Sequence, residues 1–454
     1  MSRNDKQVKQ PANGDFGVGD TGEQTHLVGF DQERELTGRM GEEFRPLTAM
    51  DMVVFLRDRT GIYLSLEDGQ DAETSDLMEI VLQEQGLPPE CEDIFSLWLI
   101  SPLLELRLKK HHRPFSLVQQ WDALCATYTD AKVEDIQRDE PVLIFQRNVF
   151  YPKESEKQIT NEQILCLLYH EAKYNVVEER YILSQEEYHR LAAIQALIHL
   201  RHFDKKEHVL AQYRSNLEQF YPEHMYRKPV HLPNVLSVFQ KNKTAKITCE
   251  EEFMDRHQEI SRLHDGEAVD KILGQLYREY LEICWQYPFY GCAFFQAETA
   301  RPSGKLPLPW NSSFIPVWTA INTDGVCIID QGKDEVLLAI PYTELSWQLK
   351  DAETEEDVSC LYLQFLVVGE DGEQMTKLLQ VHSRQGRMMD ALIESCVKRK
   401  LLERQGQGHE HGQELDEVDG PGGDTGDSFR KVTNRLDKLT LSTYSTAGEK
   451  LNGK

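Results

Sequence analysis

The chain has 454 residues, which is too long for one ordinary hydrophobic core and enough for two to four domains. Its net charge of −26, from 76 acidic and 50 basic residues, excludes a fold-wide role in binding nucleic acid, because neutralising phosphates requires a positive face. No apolar run approaches the roughly 20 residues that span a bilayer, and no signal peptide is recognisable, so the sequence predicts a cytoplasmic protein.

The first half of the chain opens with a polar stretch and continues as a small α+β lobe. Residues 1–46 are rich in glycine, acidic residues and glutamine without a sustained hydrophobic period, which predicts a disordered tail. In the region 47–152, alternating apolar residues around the turn at 58–61 indicate a β-hairpin. Thr74 or Ser75 would cap the helix that follows. Three more strand-like segments give the strand-strand-helix-strand-strand-strand order of a ubiquitin-like roll.

The region 157–287 has the hydrophobic period of helices. Asn161 is placed to cap one of them, and Ser184 with Glu187 forms the S-x-x-E pattern of a capping box. Four or five helices with apolar stripes predict a compact bundle.

The region 288–404 returns to a β pattern. Its first residues, 288–295, combine a proline, a glycine and several aromatics, which predicts a buried joint between a helix and a strand. Short apolar segments follow, with a hairpin signal at Asp324 and Gly325. An amphipathic helix over 385–404 ends the region. Seven strands with one C-terminal helix are typical of a pleckstrin-homology or phosphotyrosine-binding (PH/PTB) barrel.

The remaining residues, 405–454, are predicted to be a disordered tail. Residues 405–428 are rich in glycine and acidic residues, whereas residues 429–454 are polar and partly basic. A brief helix or a docking motif in the second part is the alternative.

Two short motifs suggest chemistry that their surroundings do not support. Gly17, Gly19 and Gly22 fit G-x-G-x-x-G, but neither the strand nor the helical stripe that a dinucleotide site requires flanks them. His170 and Glu171 open like the zinc motif H-E-x-x-H, but a tyrosine stands where the second histidine would be. The sequence therefore predicts no catalytic residue, no cofactor and no metal site.

The nine cysteines lie far apart, and none forms a C-x-x-C pair. We therefore expect reduced thiols rather than disulfides or a zinc site. The nearest approach to the Cys-x5-Arg loop of a phosphatase pairs Cys249 with Arg256, which is one residue too far.

A ubiquitin-like roll, a helical bundle and a PH/PTB-type barrel follow one another in the order of the FERM architecture, over residues 47–404. Residues 139–152 resemble the strand that closes a FERM first lobe, and residues 288–295 resemble the start of a third lobe. The last of these segments, with 95–105 and 167–173, closely resembles the FERM domain-containing protein 8 family, which is also called iTAP and whose fly member is Bili. The resemblance implies a multi-lobed α+β fold, with a second lobe like acyl-CoA-binding protein.

The resemblance also implies a function without catalysis. In this family the FERM module binds the cytoplasmic tail of iRhom rhomboid pseudoproteases and stabilises their complex with the ADAM-type sheddase that releases tumour necrosis factor. The family is linked as well to restraint of Wnt signalling at the LRP co-receptor. For this chain it implies an adaptor or scaffold with membrane-protein tails of the iRhom or LRP type as partners. Such an adaptor would lie in the cytoplasm, peripherally at the cytosolic face of the plasma membrane or endosomes.

A PTB-like barrel offers a place for such a tail. One strand has a free edge beside the C-terminal helix, and a peptide can add there as a further strand. The predicted peptide-binding residues lie on that strand and on the facing side of the helix: Leu345, Ser346, Trp347, Gln348, Leu349, Met388, Leu392 and Cys396. The alternative is that these side chains only form the core of the barrel.

The densest basic cluster of the predicted lobes is K-K-H-H-R at 109–113. Because basic surfaces on FERM first and third lobes often meet phosphoinositides, Lys109, Lys110 and Arg113 are candidates for binding an anionic phospholipid surface. The alternative is a solvated turn between two strands.

Two other classes of function compete with an adaptor. A membrane–cytoskeleton linker of the ezrin kind would carry a long charged actin-binding helix, and no such pattern follows residue 404. An enzyme-associated FERM protein would need an additional catalytic domain, for which no segment of this sequence is left.

Overall fold

The computed structural model describes residues 27–29, 50–66, 69–227, 248–302, 313–333, 335–354, 357–368, 372–407, 425–445 and 448–451. These residues form three lobes, and the predicted multi-lobed α+β class is confirmed. The predicted G-x-G-x-x-G stretch and most of both predicted tails lie outside the described residues.

The first lobe is a mixed sheet with helices on one side. Its elements are β1 (Leu27–Gly29), β2 (Met50–Phe55), β3 (Thr60–Leu66), α1 (Thr74–Glu84), α2 (Cys91–Ile94), β4 (Phe95–Ile100), β5 (Glu105–Arg107), α3 (Pro114–Gln119), α4 (Trp121–Tyr128), α5 (Val133–Ile136) and β6 (Val142–Arg147). The strands lie in the order β1-β3-β2-β6-β4-β5, with β2 and β6 parallel. The predicted roll is therefore present.

Two details of the first lobe differ from the sequence prediction. The N-cap of α1 is Glu73, which forms a reciprocal capping box with Asp76, so neither Thr74 nor Ser75 is the cap. Leu27–Gly29 lies in the predicted disordered tail but pairs with β3 as strand β1. A three-residue strand is too short to show the period-two alternation by which a strand is recognised.

The second lobe is a helical bundle. Its elements are α6 (Lys153–Glu156), α7 (Glu162–Val177), α8 (Gln185–Leu200), α9 (Leu210–Phe220), α10 (Glu223–Tyr226), α11 (Cys249–Leu263), a 3-10 turn (Val269–Lys271) and α12 (Leu273–Trp285). Both predicted caps are confirmed: Asn161 Oδ1 accepts from two backbone amides of α7, and Ser184 with Glu187 forms the capping box of α8. Helix α8 is central, with consecutive residues of its second half fully buried.

The third lobe is a barrel-like sheet crossed by one helix. Its elements are β7 (Ala293–Ala300), β8 (Phe314–Ile321), β9 (Gly325–Asp330), β10 (Glu335–Pro341), β11 (Leu345–Lys350), β12 (Cys360–Val368), β13 (Gln374–His382) and α13 (Gly386–Gln407). The strands follow the order β10-β9-β8-β7-β13-β12-β11. Asn322 shapes the predicted β8–β9 hairpin, since its Oδ1 accepts from the amides of Asp324 and Gly325.

After α13 the chain returns to the third lobe. Its last elements are α14 (Thr425–Arg430), a 3-10 turn (Leu436–Lys438), β14 (Leu441–Tyr444) and β15 (Lys450–Leu451). Strand β14 pairs antiparallel with β13, and β15 pairs with β14. The predicted disorder of residues 405–454 is therefore wrong for this part of the tail.

A buried ion pair joins the three lobes. Arg147, at the end of β6, donates from Nε to Glu156 Oε2 of α6 at 2.6 Å, and both side chains are buried. The other oxygen of Glu156 accepts from Trp285 Nε1 at 2.8 Å and from the Tyr290 hydroxyl. Arg147 also donates to the carbonyl of Gly291 at 3.4 Å. One ion pair therefore connects the first lobe, the second lobe and the start of the third.

The segment 288–295 is the joint that its sequence predicts. Helix α12 ends just before it and β7 begins within it. Gly291 has a φ of +66°, and a Cβ at this position would overlap the Arg147 guanidinium, so both backbone and space require glycine. Phe289 and Phe294 are buried on either side. The joint is part of the core and offers no exposed binding surface of its own.

A histidine in the second lobe is held in its neutral form. His257 on α11 is fully buried, and its Nε2 lies 2.8 Å from the carbonyl oxygen of Arg201. Because a carbonyl can only accept, Nε2 carries the proton, and Nδ1 accepts from the Tyr213 hydroxyl at 2.6 Å. Burial lowers the pKa of His257 from 6.5 to about 4.

We expect this histidine to make the protein less stable in mild acid. Between about pH 6.5 and 4 the unfolded chain binds a proton at His257 that the folded chain does not. The contribution of neutral His257 to the free energy of unfolding is therefore complete above pH 6.5 and is lost as the pH falls. Over that window the wild type should lose about 1.4 kcal/mol per pH unit more than His257→Gln. Urea unfolding at several pH values measures the difference, and parallel pH profiles would contradict it.

Candidate functional site

Strand β11 is the outermost strand of its sheet. It pairs with β12 from Leu345, opposite Phe365, to Lys350, opposite Cys360. Among the described residues, no strand pairs with its other edge. Alternate backbone groups of an outermost antiparallel strand point away from its partner, so β11 presents amides and carbonyls to which a further strand can bind.

The side chains of β11 alternate between the helix side and the outer face of the sheet. Leu345 is buried, and Trp347 and Leu349 are half-buried, whereas Ser346 and Gln348 are exposed. This is the period-two alternation of a half-buried strand. Of the five predicted strand residues, three therefore face the interior of the lobe and two face outward.

Helix α13 places two of its three predicted residues beside β11, and we call the surface between this strand and the helix the groove. Met388 and Leu392 are half-buried and pack against the same core as Trp347 and Leu349. A Cβ added at Gly386 would lie 3.1 Å from Leu349 Cδ1, so the start of the helix lies close against the strand.

The third predicted helix residue, Cys396, cannot contact a peptide in this structure. It is 1% exposed and lies below the helix, like Met389 and Ile393. Burial raises the pKa of Cys396 to about 12, which keeps the thiol protonated. We therefore exclude Cys396 from the groove, because it belongs to the core of the lobe.

A hydrogen bond fixes the position of Trp347. Its Nε1 donates to Asp390 Oδ1 on α13 at 2.9 Å. The indole is thereby held between strand and helix, with part of its ring still exposed. A rigid aromatic ring with low conformational freedom is a common anchor in binding sites, because little entropy is lost when a partner covers it.

A second concave surface lies on the outer face of the same sheet, and the sequence did not predict it. It is a cavity of about 620 Å³ that reaches from β11 to the C-terminal strand β14. Polar and apolar surface are about equal in its lining, which consists of Ser346, Trp347, Gln348, Tyr362, Gln364, Thr376, Leu378, Tyr444, Ser445 and Gly448. The alternation of exposed residues along β12 was the available signal, but the wall from β14 depends on a pairing that no local pattern indicates.

The basic cluster lies at the surface of the first lobe, after β5 and at the start of α3. Lys110 Nζ is 2.6 Å from Glu92 Oε2, and Arg113 Nη1 is 2.9 Å from Asp71 Oδ1. Lys109 is exposed as well. Two of the three candidate cations therefore face carboxylates, and the local positive charge is smaller than the sequence alone suggests.

The structure gives His170 and Glu171 no role in metal binding. Glu171 Oε2 accepts from the backbone amide of Arg147 at 2.6 Å, which attaches α7 to the first lobe. Across the part of the chain that the structure describes, no three His, Cys, Asp or Glu side chains are grouped so that they could hold a metal ion. Within the same residues, no helix is long and apolar enough to cross a membrane.

Comparison with known proteins places the fold and the family. Residues 154–295 match the family model of the FERM central domain, and residues 315–392 match that of the KRIT1/FRMD8, FERM domain C-lobe. FERM domain-containing protein 8 of Homo sapiens is 35% identical over 352 residues, which cover 77% of this chain and 74% of that protein. The Xenopus laevis protein of the same name is 34% identical over 352 residues, which cover 77% of this chain and 76% of the relative.

A solved structure supports the fold alone. The C-terminal MyTH4-FERM domain of human Myosin 7b, solved in complex with the harmonin-a PDZ3 domain, matches with a TM-score of 0.51 at 16% identity. The match covers 78% of this chain and 61% of that one. The predicted FERM architecture is confirmed.

Proposed function

This chain belongs to the FERM domain-containing protein 8 family, and on that premise we propose that it is a non-enzymatic adaptor that binds the cytosolic tail of an iRhom pseudoprotease. The observation that carries the proposal is the edge of β11 with which no described strand pairs, beside the half-buried Trp347 and Leu392. A tail that adds as a strand gains main-chain hydrogen bonds, and its alternate side chains enter the groove between strand and helix.

Binding alone accounts for stabilisation of the partner. An adaptor that binds only the assembled iRhom–sheddase complex shifts the equilibrium away from the form that is degraded, by an amount set by its concentration relative to the dissociation constant. This mechanism needs neither a nucleophile nor a metal. Restraint of Wnt signalling would follow from the same groove if an LRP-type tail competes for it.

Affinity purification from a cell membrane fraction tests the partner. The full chain should recover an iRhom and its ADAM-type sheddase, identified by mass spectrometry, and Leu392→Asp should recover neither. Recovery of both by the variant, or of neither by the wild type, would contradict the proposal. Co-sedimentation with filamentous actin distinguishes the alternative of a membrane–cytoskeleton linker, and turnover of phosphotyrosine peptides distinguishes an enzyme.

The adaptor would act at the cytosolic face of the plasma membrane or endosomes, where an anionic lipid surface adds to tail binding. The ion pairs of Lys110 and Arg113 are exposed, with 75% and 52% of the two basic side chains accessible. Exposed pairs contribute only about 0–1 kcal/mol, so lipid phosphates can replace the carboxylates. Each cation near an anionic membrane contributes about 1 kcal/mol.

We therefore expect Lys109→Glu with Lys110→Glu to abolish sedimentation with anionic vesicles. The matched control reverses the charge of two consecutive, exposed lysines on the second lobe, Lys205→Glu with Lys206→Glu. This variant should sediment like the wild type. Equal losses in both double variants would show a general effect of charge, and a wild type that does not sediment would exclude the cluster as a lipid site.

A further inference from the structure

Residues 428–445 and 448–451 lie across the third lobe, from the last turn of α14 to β15, and we call the segment 428–451 the C-terminal strap. The strap follows residues 408–424, whose sequence is rich in glycine and carboxylates. It contains five lysines and arginines but only two acidic residues, in a chain whose net charge is −26. It is thus a basic segment on an acidic protein.

The first anchor of the strap is an aromatic side chain. Phe429 is 9% exposed and lies over Gly325 at the start of β9. A Cβ at Gly325 would lie 2.7 Å from Phe429 Cζ, so the glycine leaves the space that the ring occupies. The preceding Ser428 is buried as well.

The strap next forms hydrogen bonds with the outer edge of β10, the strand at the opposite end of the sheet from β11. The amide of Arg435 donates to the carbonyl of Leu337 at 2.8 Å. Asn434 Oδ1 accepts from the amide of Ala339 at 2.8 Å, and its Nδ2 donates to the carbonyl of Ala339 at 3.4 Å. No described strand pairs with this edge of β10, and these contacts take the place of one.

Opposite charges hold the strap in register. Arg435 and Lys438 both pair with Glu335 at the start of β10. Lys431 pairs with Glu187 of the second lobe at 3.0 Å and lies 5.3 Å from the centre of the Tyr287 ring. The three basic side chains are 35–50% exposed, so the pairs select a basic segment without fixing it permanently.

The strap ends as a strand. Leu439 is 5% exposed, and β14 pairs with β13 from Leu441, opposite Leu379, to Tyr444, opposite Thr376. The strap adds two buried apolar side chains, Phe429 and Leu439, to the core. Most of the side chains in the cluster around Leu439 come from β7–β13 and α13, so the strap covers a core that these elements largely form.

We propose that the third lobe carries a second peptide-docking surface, formed by the edges of β10 and β13 with the Phe429 pocket, and that the C-terminal strap is its tethered, exchangeable ligand. The surface recognises a basic, extended segment with an aromatic anchor at its N-terminal end and a short strand at its C-terminal end. Covalent attachment keeps the strap at a high local concentration, so contacts of moderate strength are enough to hold it. An unlinked segment of the same chemistry competes with it.

The test separates the strap from the intact chain. A site-specific protease sequence replaces part of residues 408–424, the purified full chain is cut, and the released peptide is removed by size exclusion. A labelled synthetic peptide of residues 425–454 should then bind the cut protein saturably, with a micromolar dissociation constant. The Phe429→Ala peptide should bind about 30-fold more weakly.

A charge reversal on the protein provides the matched comparison. Glu335→Lys should weaken peptide binding about tenfold or more, because it opposes two cations of the strap. Glu394→Lys makes the same change on the exposed side of α13, where Glu394 pairs with Lys398 of the same helix, and should bind like the wild type. Absence of saturable binding to folded, cut protein would overturn the proposal, as would equal affinity of the Glu335→Lys protein.

Hydrogen exchange on the uncut chain gives an answer even if the cut protein unfolds. An exchangeable strap opens while the lobe stays folded, so the amides of β14 should exchange at least about tenfold faster than those of β12. Equal protection of both strands would show that the strap unfolds only with the whole lobe and is not an exchangeable ligand.

Discussion

Replacing Glu156 with alanine is expected to lower the free energy of unfolding by about 3–5 kcal/mol. The substitution leaves the Arg147 guanidinium buried without its carboxylate and removes the acceptor for Trp285 and Tyr290. Burial lowers the pKa of Arg147 and Glu156 raises it, so the substitution leaves the effect of burial unopposed. Because the ordinary pKa of arginine lies far above neutral pH, the guanidinium still keeps its charge and the penalty remains. Urea unfolding at neutral pH measures the loss.

A matched control is available on the same short helix. Glu154 is 43% exposed and pairs with Lys157 three residues later, so Glu154→Ala should change stability by less than about 0.5 kcal/mol. If Glu156→Ala unfolded at the same urea concentration as Glu154→Ala, the ion pair would not be what holds the lobes together.

Replacing Leu392 with aspartate is expected to weaken binding of an iRhom cytosolic tail about 30-fold or more, since a buried apolar anchor commonly contributes at least about 2 kcal/mol to binding. The introduced carboxylate would lie in the groove, and it would have to lose its hydration when a tail side chain enters. Trp347→Ala should weaken binding similarly, because it also leaves Asp390 without its indole donor. Isothermal titration of the purified tail gives both dissociation constants.

The control for this variant places the same charge one residue away. Ala391 is exposed on α13, so Ala391→Asp should bind the tail like the wild type while keeping the lobe folded. Full affinity of Leu392→Asp and Trp347→Ala would move the binding site to another lobe. Equal losses in Ala391→Asp and Leu392→Asp would indicate a general effect of negative charge on the helix.

Features fixed by neighbouring residues could be predicted from the sequence. The caps at Asn161 and Ser184 depend on side chains within three residues, and both are observed. Gly291 was recognisable as a joint because its neighbours end a helix and begin a strand. The reason that only glycine fits, the approach of Arg147, depends on a residue 144 positions away.

The differences between the sequence prediction and the structure concern features that distant residues decide. Met388, Leu392 and Cys396 are spaced four residues apart along α13. Because an α-helix has about 3.6 residues per turn, each step of four also rotates around the helix axis, and Cys396 lies on the buried side. The basic cluster loses part of its charge to Glu92 and Asp71, which come from other elements. The polar composition of the C-terminal strap predicts disorder. Its few apolar side chains become buried only when the strap lies along the edges of β10 and β13, and no local pattern indicates that placement.

Hydrogen–deuterium exchange with and without the iRhom tail tests the central claim most directly. If the tail adds as a strand, the outward amides of β11 should become protected, because they gain acceptors on an edge that has no strand in the described chain. Those of β10, whose edge the strap already covers, should not change. Protection confined to another lobe, or no protection at a saturating tail concentration, would contradict the account.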